Sequence, residues 1–494
     1  MTGSAETAQR PALPWLSRLF PIHCRYVAVD GGAGAHLLAE LAGLQYSMGY
    51  LTPADSPRHA NLLMVIGPVT KRLRPAIVHL AKALPRPSGA LVIRNPHLEG
   101  LTFEELVRPE ELLPGSLQVE GTSASQVARA ALEAGRQEGL QVAPDAGPEP
   151  HTVSLPSREE QEIATEMAVL SLGPVNPFVA GPLGLFLVCD GEQVARAEVE
   201  SGDAHRGIAD AMAKSGWQAA ADLAGALDPL APLACRLAYI RALERLQGHE
   251  PPPAVADSRK SAVALERVKN YLWWAVRFFR ILGASFFAHR LWELARAVSA
   301  LTDSVWERPV LEWAAPQGGA APISQPALED ARRMDGALWA FYQRVKGDRM
   351  LALRTKGIGV LSEDQALRSD VAGPVLQASQ QYEGDVHSRL LARLEAAAHD
   401  LNQVIDIAND FKETSGEPRW GAPSGEATAA VMGPRGRIGI RLTSDGADGP
   451  TAVQWARPSA ALLELVPTVL GGQKVADAEV ILASLDLAMA EADG

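Results

Sequence analysis

The stretch from residue 138 to 158, EGLQVAPDAGPEPHTVSLPSR, is rich in Pro and Gly and carries no side-chain period. Such a segment neither fills a helix face nor alternates as a strand, so it reads as a linker. The apolar residues on its two sides must then bury separate cores, and their patterns differ. From about residue 24 to 137, short apolar runs (RYVAVDGG, LLMVIGPVT, GALVIRN) alternate with amphipathic segments such as RPAIVHLAKAL. That alternation predicts an α/β domain over 13–137, a parallel sheet covered by helices.

Beyond the linker, LGLFLVCDGEQVARAEVE alternates as a hairpin with Asp190 and Gly191 at its turn, where φ > 0 is needed. Long helical stretches are expected over 205–248, 258–300, 325–350 and 384–412, with a loop at 314–325. Strands return in ATAAVMGPRGRIGIRLTSDG around a turn at 433–436, and a helix closes the chain over 475–492. Residues 159–494 therefore predict an α+β domain with a helix-bundle core and small antiparallel sheets.

The chain is long enough, at 494 residues with 47% apolar content, to bury such cores. Its net charge of −12 argues against nucleic acid as a partner, since phosphate neutralisation needs a dense cationic face. The longest apolar run, Tyr271 to Ala288, contains Arg277 and Arg280 and reads as a buried bundle helix rather than a membrane span. Its aromatics Trp273, Trp274, Phe278, Phe279, Phe286 and Phe287 are expected in the core. The N-terminus lacks a basic region followed by an apolar one, so no signal peptide is expected and the cytoplasm is implied. Leu13 to Phe20 (LPWLSRLF) reads either as a contact to a membrane or a membrane subunit, or as a staple onto its own domain. Gly31, Gly32 and Gly34 follow a strand but lack the full G-x-G-x-x-G spacing of a dinucleotide site. The three cysteines, Cys24, Cys189 and Cys235, are scattered and form no C-x-x-C pair.

Four ordered blocks carry a resemblance: SLGPVNPFVAGPLGLFLVCDGEQVARAE at 171–198, GDAHRG at 202–207, RTKGIGVLSEDQALRSDVAGPVLQAS at 354–379 and SLDLAMAEADG at 484–494. On them the second domain resembles the 49-kDa subunit of respiratory complex I, itself similar to the large subunit of nickel-iron hydrogenases. HCRYVAVD at 23–30 and SPRHANLLMVIGPVTKRLRPAI at 56–77 similarly resemble the complex I subunit that holds the last iron-sulfur cluster before quinone. The resemblance implies a flavodoxin-like first domain, a hydrogenase-large-subunit-like second domain, and a fusion of two peripheral subunits.

It also assigns positions whose ligands are gone. Of the four cluster cysteines only Cys24 has a counterpart; Arg25, Pro96 and Thr122 stand at the other three places. A four-iron cluster needs four thiolates. The two quinone-pocket histidines correspond to Asn176 and Ala180, and the tyrosine, next to a matching Asp228, corresponds to Pro229. Neither Ala nor Pro can donate a side-chain proton. A nickel-iron centre would need two C-x-x-C pairs, where only Cys235 stands.

Two readings follow from the resemblance. The first is a non-redox subunit with no cofactor, on the cytoplasmic face of the inner membrane, coupled to ion-translocating membrane subunits, a quinone-channel-like membrane subunit and other peripheral subunits. The second is a subunit of an NADH-quinone oxidoreductase that still holds a quinone or other small molecule between its domains. Arg25 and the side chains near Ala180 are expected to fill the volume a cofactor would take.

Overall fold

The computed structural model describes residues 24–494 except 33, 49–50, 55, 86–87, 95–105, 121–122, 136–166, 176, 307–314, 321–322 and 412. The linker and Leu13 to Phe20 therefore lie outside the described residues.

In the first unit, β1 (Cys24–Asp30), β2 (Leu51–Pro53), β3 (Leu62–Ile66), β4 (Gly89–Arg94) and β5 (Leu117–Glu120) form an all-parallel sheet in the order β2-β1-β3-β4-β5. The central strand β3 reads LLMVI without a polar residue, because both its faces are covered. Leu62, Met64 and Ile66 pack in one core with residues of α1 (Ala35–Met48) and α3 (Ala124–Ala134). Leu63 and Val65 point the other way, into a core shared with α2 (Arg74–Ala83). The order reverses between β1 and β3, so the loops leaving their carboxyl ends, 31–34 and 67–73, diverge to opposite faces and expose a crevice edge there.

The second unit opens with an antiparallel sheet of β6 (Ala168–Leu172), β7 (Gly184–Asp190) and β8 (Gln193–Glu200); Gly191 makes the predicted turn at φ +57°. Its longer helices are α4 (Trp217–Ala226), α5 (Pro232–Leu246), α6 (Pro253–Ile281), α7 (Ser285–Trp306), α8 (Gln325–Gly347) and α9 (Val386–Asn409). The helical stretch expected over 205–248 is divided, since Pro229 disfavours helical backbone at Asp228 and Pro232 restarts the chain at the first turn of α5. The stretch over 258–300 likewise divides at Gly283, which adopts φ +68° between α6 and α7. Trp273, Trp274, Phe278 and Phe279 are buried in the main core with Leu390 and Leu394 of α9, as expected for a bundle helix. Phe286 departs from that expectation: it is 57% exposed, its ring covered on one side by the Arg344 guanidinium at 5.0 Å.

A second antiparallel sheet, β9 (Gly425–Met432), β10 (Arg437–Ser444) and β11 (Ala452–Ala456), packs on α4 and α5 in a separate core. The closing segment is two short helices, α10 (Ala478–Leu485) and α11 (Met489–Asp493), divided where Asp486 takes the left-handed conformation at φ +60°.

Candidate functional site at the junction of the two units

Three segments meet where the parallel sheet faces the helical unit: the loop after β1, the hairpin loop before β7, and the C-terminal tail. Asp30 ends β1, and its Oδ1 accepts the backbone N–H groups of Gly32 and Gly34 at 2.8 and 2.6 Å, which folds the loop tightly. The glycines serve close approach. A Cβ on Gly31 would lie 2.3 Å from the Pro68 carbonyl oxygen, and one on Gly32 would lie 2.7 Å from the Ala490 Cβ. From the hairpin, Ala180 pairs with the tail: its N–H donates to the Leu487 carbonyl at 3.0 Å, and its carbonyl accepts from the Met489 N–H at 2.8 Å. A Cβ on Gly181 would come within 3.2 Å of the Gly32 Cα. Ala35, Ala180, Leu230 and Ala488 form one buried apolar cluster across the seam. Around it, Thr70 Oγ1 donates to the Asp203 carbonyl, and Trp292 Nε1 donates to the Glu40 carbonyl at 3.3 Å.

Beside this seam lies a group of charges withdrawn from water. Arg435, from the turn between β9 and β10, is paired with Asp228 and with Glu491 at 3.1 Å, and all three are at most 2% exposed. Asp486 sits among Arg277 at 3.5 Å, Arg393 at 4.0 Å and Arg435 at 4.0 Å. Arg393 also donates to the carbonyls of Ser484 and Leu485 at the end of α10 and lies over the Trp274 ring at 4.4 Å. Arg206 donates to the carbonyls of Leu227 and Ala490 at 2.9 and 3.2 Å. Burial works against the Arg435 cation, but Asp228, Glu491 and Asp486 outweigh it and raise its pKa. Burial likewise raises the Glu491 carboxyl, against the pull of Arg435. His36, on the facing helix α1, is held neutral by burial and by Lys269, Arg277 and Arg435. The arrangement pins the tail and the hairpin to the helical core.

The residues singled out in the sequence fall in different places. Ala180 lies at the centre of the seam, and Pro229 adjoins Leu230, which shares its cluster. Asp228 is the partner of Arg435. Asn176, Pro96 and Thr122 lie outside the described residues. Cys24 and Arg25 begin β1, at the end of the sheet opposite the seam, a strand's length of roughly 20 Å away. The Cys24 thiol donates to the Ala131 carbonyl at 3.7 Å inside the α3 core, and Arg25 is exposed. The expectation that Arg25 fills the junction is therefore corrected: small residues fill it by letting three backbones touch. Arg435, Asp486, Glu491 and His36 were not legible as site residues. The one signal in the sequence was Asp486 and Glu491 standing inside the otherwise apolar LDLAMAEA.

A four-iron cluster does not fit these residues. The chain has three cysteines, and Cys24, Cys189 and Cys235 are buried in three separate cores.

Glu266 of α6 accepts the first backbone N–H groups of α5, from Leu233 and Ala234, both at 2.9 Å, and burial pushes its carboxyl up to about 8. The folded chain thus keeps a proton that the unfolded chain releases near its ordinary value of 4.5. Between those values stability falls as pH rises. Glu266→Gln loses one acceptor oxygen and, neutral at every pH, has no such proton to give up. Its midpoint of thermal unfolding is expected to lie below that of the parent at about pH 5 and to close the gap by about pH 9. A gap independent of pH would refute the assignment.

The parallel sheet, the helix bundle and the two small antiparallel sheets define a chain with an α/β unit followed by a larger α+β unit. Residues 380–494 match the family model of the respiratory-chain NADH dehydrogenase 49 Kd subunit. The NADH-quinone oxidoreductase D subunit of Bacillus cytotoxicus is 25% identical over 369 residues, 67% of this chain and 100% of that protein. Its counterpart in Dehalococcoides mccartyi is 26% identical over 366 residues, 67% of this chain and 99% of that protein. Among solved structures, a chain of the archaeal membrane-bound sulfane sulfur reductase, a respiratory membrane complex, shares the fold with a TM-score of 0.59 and 23% identity, covering 67% of this chain and 100% of that one. The chain accordingly resembles the 49-kDa type of complex I subunit.

Proposed function

We propose that the chain is a peripheral subunit of a complex I-like membrane complex that carries no redox centre of its own. It docks on the cytoplasmic face of the inner membrane and couples to ion-translocating and quinone-channel-like membrane subunits. The first unit, whose strand order is that of flavodoxin-like sheets, stands for the iron-sulfur subunit of relatives, and the second for their 49-kDa subunit. The observation that supports the reading is the close packing of the seam beside Ala180, a quinone-pocket position by resemblance: a Cβ on Gly32 would lie 2.7 Å from the Ala490 Cβ, and one on Gly181 3.0 Å from the Met489 Cβ. The seam also argues against the alternative in which a small molecule is held there. No helix of the described residues is long and apolar enough to cross a membrane.

Purification of the tagged full-length chain from detergent-solubilised membranes of its own cells tests this. The chain is expected to arrive with multi-spanning subunits and, once separated from them under mild denaturation and refolded, to hold less than one iron. Roughly four irons bound by the separated chain would overturn the non-redox reading. Recovery from lysate as a soluble monomer that ignores the membrane fraction would overturn the docking role.

A further inference from the structure

On the face of the helical unit built by α5, α6 and the edge of β9 lies a half-open groove of about 320 Å³, away from the seam. Among the described residues strand β9 pairs only with β10, so its outer edge offers backbone carbonyls to side chains. Three arginines cover them at alternate residues: Arg245 Nη1 donates to the Thr428 carbonyl, Arg241 Nη1 to the Ala430 carbonyl at 3.3 Å, and Arg267 Nη1 to the Met432 carbonyl at 3.0 Å. Each guanidinium has five N–H donors, and one carbonyl uses few of them. The groove is lined by Arg241, Arg259, Lys260 and Arg267 and by no carboxylate, in a chain whose net charge is −12.

Part of that positive charge is already answered. Glu244 takes the Arg259 guanidinium in a bidentate pair at 2.8 Å, Asp400 takes Arg267, and Asp257 touches Lys260 at 2.9 Å on the exposed side. Arg241 and Arg245 have no ion pair among the described residues. Arg241 is half-buried, and burial together with the neighbouring Arg259 and Arg245 lowers its pKa against the pull of Glu244. Leu237, Val263 and Val431 line the floor, which keeps water from screening the charges above it.

We propose that this groove is a binding site for a small multivalent oxyanion, a phosphate- or polycarboxylate-bearing group, held by Arg241 and Lys260 with the covered edge of β9 behind it. A forked guanidinium and an ammonium lining one groove match the spread oxygens of such an anion. The volume is at the small end of ligand sites and suits a group of diphosphate size. The anion can be free or borne by a lipid head group, and the test separates the two sources.

The full-length chain in mild detergent is titrated with pyrophosphate by calorimetry at low salt, and in parallel its sedimentation with phosphatidylglycerol vesicles is measured. Saturable, salt-sensitive pyrophosphate binding is expected, weakened about tenfold by Lys260→Glu and by Arg241→Gln. Arg368→Glu, an exposed cation far along the sequence, serves as the control for net charge. Lys260 is exposed, so its variant tests the site without disturbing the core. Vesicle binding that falls with the same two variants assigns a lipid-borne anion; vesicle binding unaffected by them assigns a free one. Absence of saturable pyrophosphate binding, or binding that both variants leave at the level of the control, overturns the proposal.

Discussion

Replacing Arg435 with Ala is expected to destabilise the helical unit by about 3–5 kcal/mol, because it leaves Asp228 and Glu491 buried and without their cation. Both carboxylates are fully withdrawn from solvent, and Glu491 additionally accepts from Ser459, so neither can rotate out to water without unfolding the tail. The cost is expected to come from the stranded acids rather than from lost volume. The triple variant Arg435→Met, Asp228→Asn, Glu491→Gln should therefore recover most of the loss, although it removes every formal charge of the trio. Urea unfolding followed by tryptophan fluorescence reads both effects. If Arg435→Ala costs under about 1 kcal/mol, or the triple variant is worse than the single one, the trio is not the tether of the tail.

The second large effect is expected at the seam itself, from Gly32→Val. At φ +106° a β-branched residue is strained, and its first carbon would already overlap the Ala490 Cβ at 2.7 Å. The combined cost is expected near 3 kcal/mol or more, taken up by opening the contact between the two units. Limited proteolysis should then cut between the units faster, while the parallel sheet keeps its own stability. Gly191→Ala is the matched control, since Gly191 also has positive φ but nothing lies within 4 Å of an added Cβ; it should cost only about 1 kcal/mol. Equal effects of the two substitutions would mean that backbone strain alone, and not a closed seam, holds Gly32 in place.

The sequence by itself determined the local elements wherever a period or a turn residue spoke plainly. The all-apolar LLMVI became the central strand, Asp190 and Gly191 made their hairpin turn, and Trp273 to Phe279 went into the core of the bundle. It also determined the absence of a four-thiolate set, because counting three cysteines needs no coordinates. It placed Ala180 and Asp228 in segments that the fold does bring to one junction.

Only the tertiary structure decided which ends of those elements face each other. A parallel strand has two chemically similar termini, and nothing in CRYVAVD says that Asp30 meets the second unit while Cys24 is shut in beneath α3. The helix break at Asp486 was equally hidden, because Asp reads as a surface residue until burial supplies its arginine. Arg435 shows the reason most directly. As one residue of a tight turn it predicts solvent, and it becomes the centre of a buried ionic trio because Asp228 and Glu491, 207 and 56 residues away in the chain, are brought to the same point by packing that no local pattern encodes.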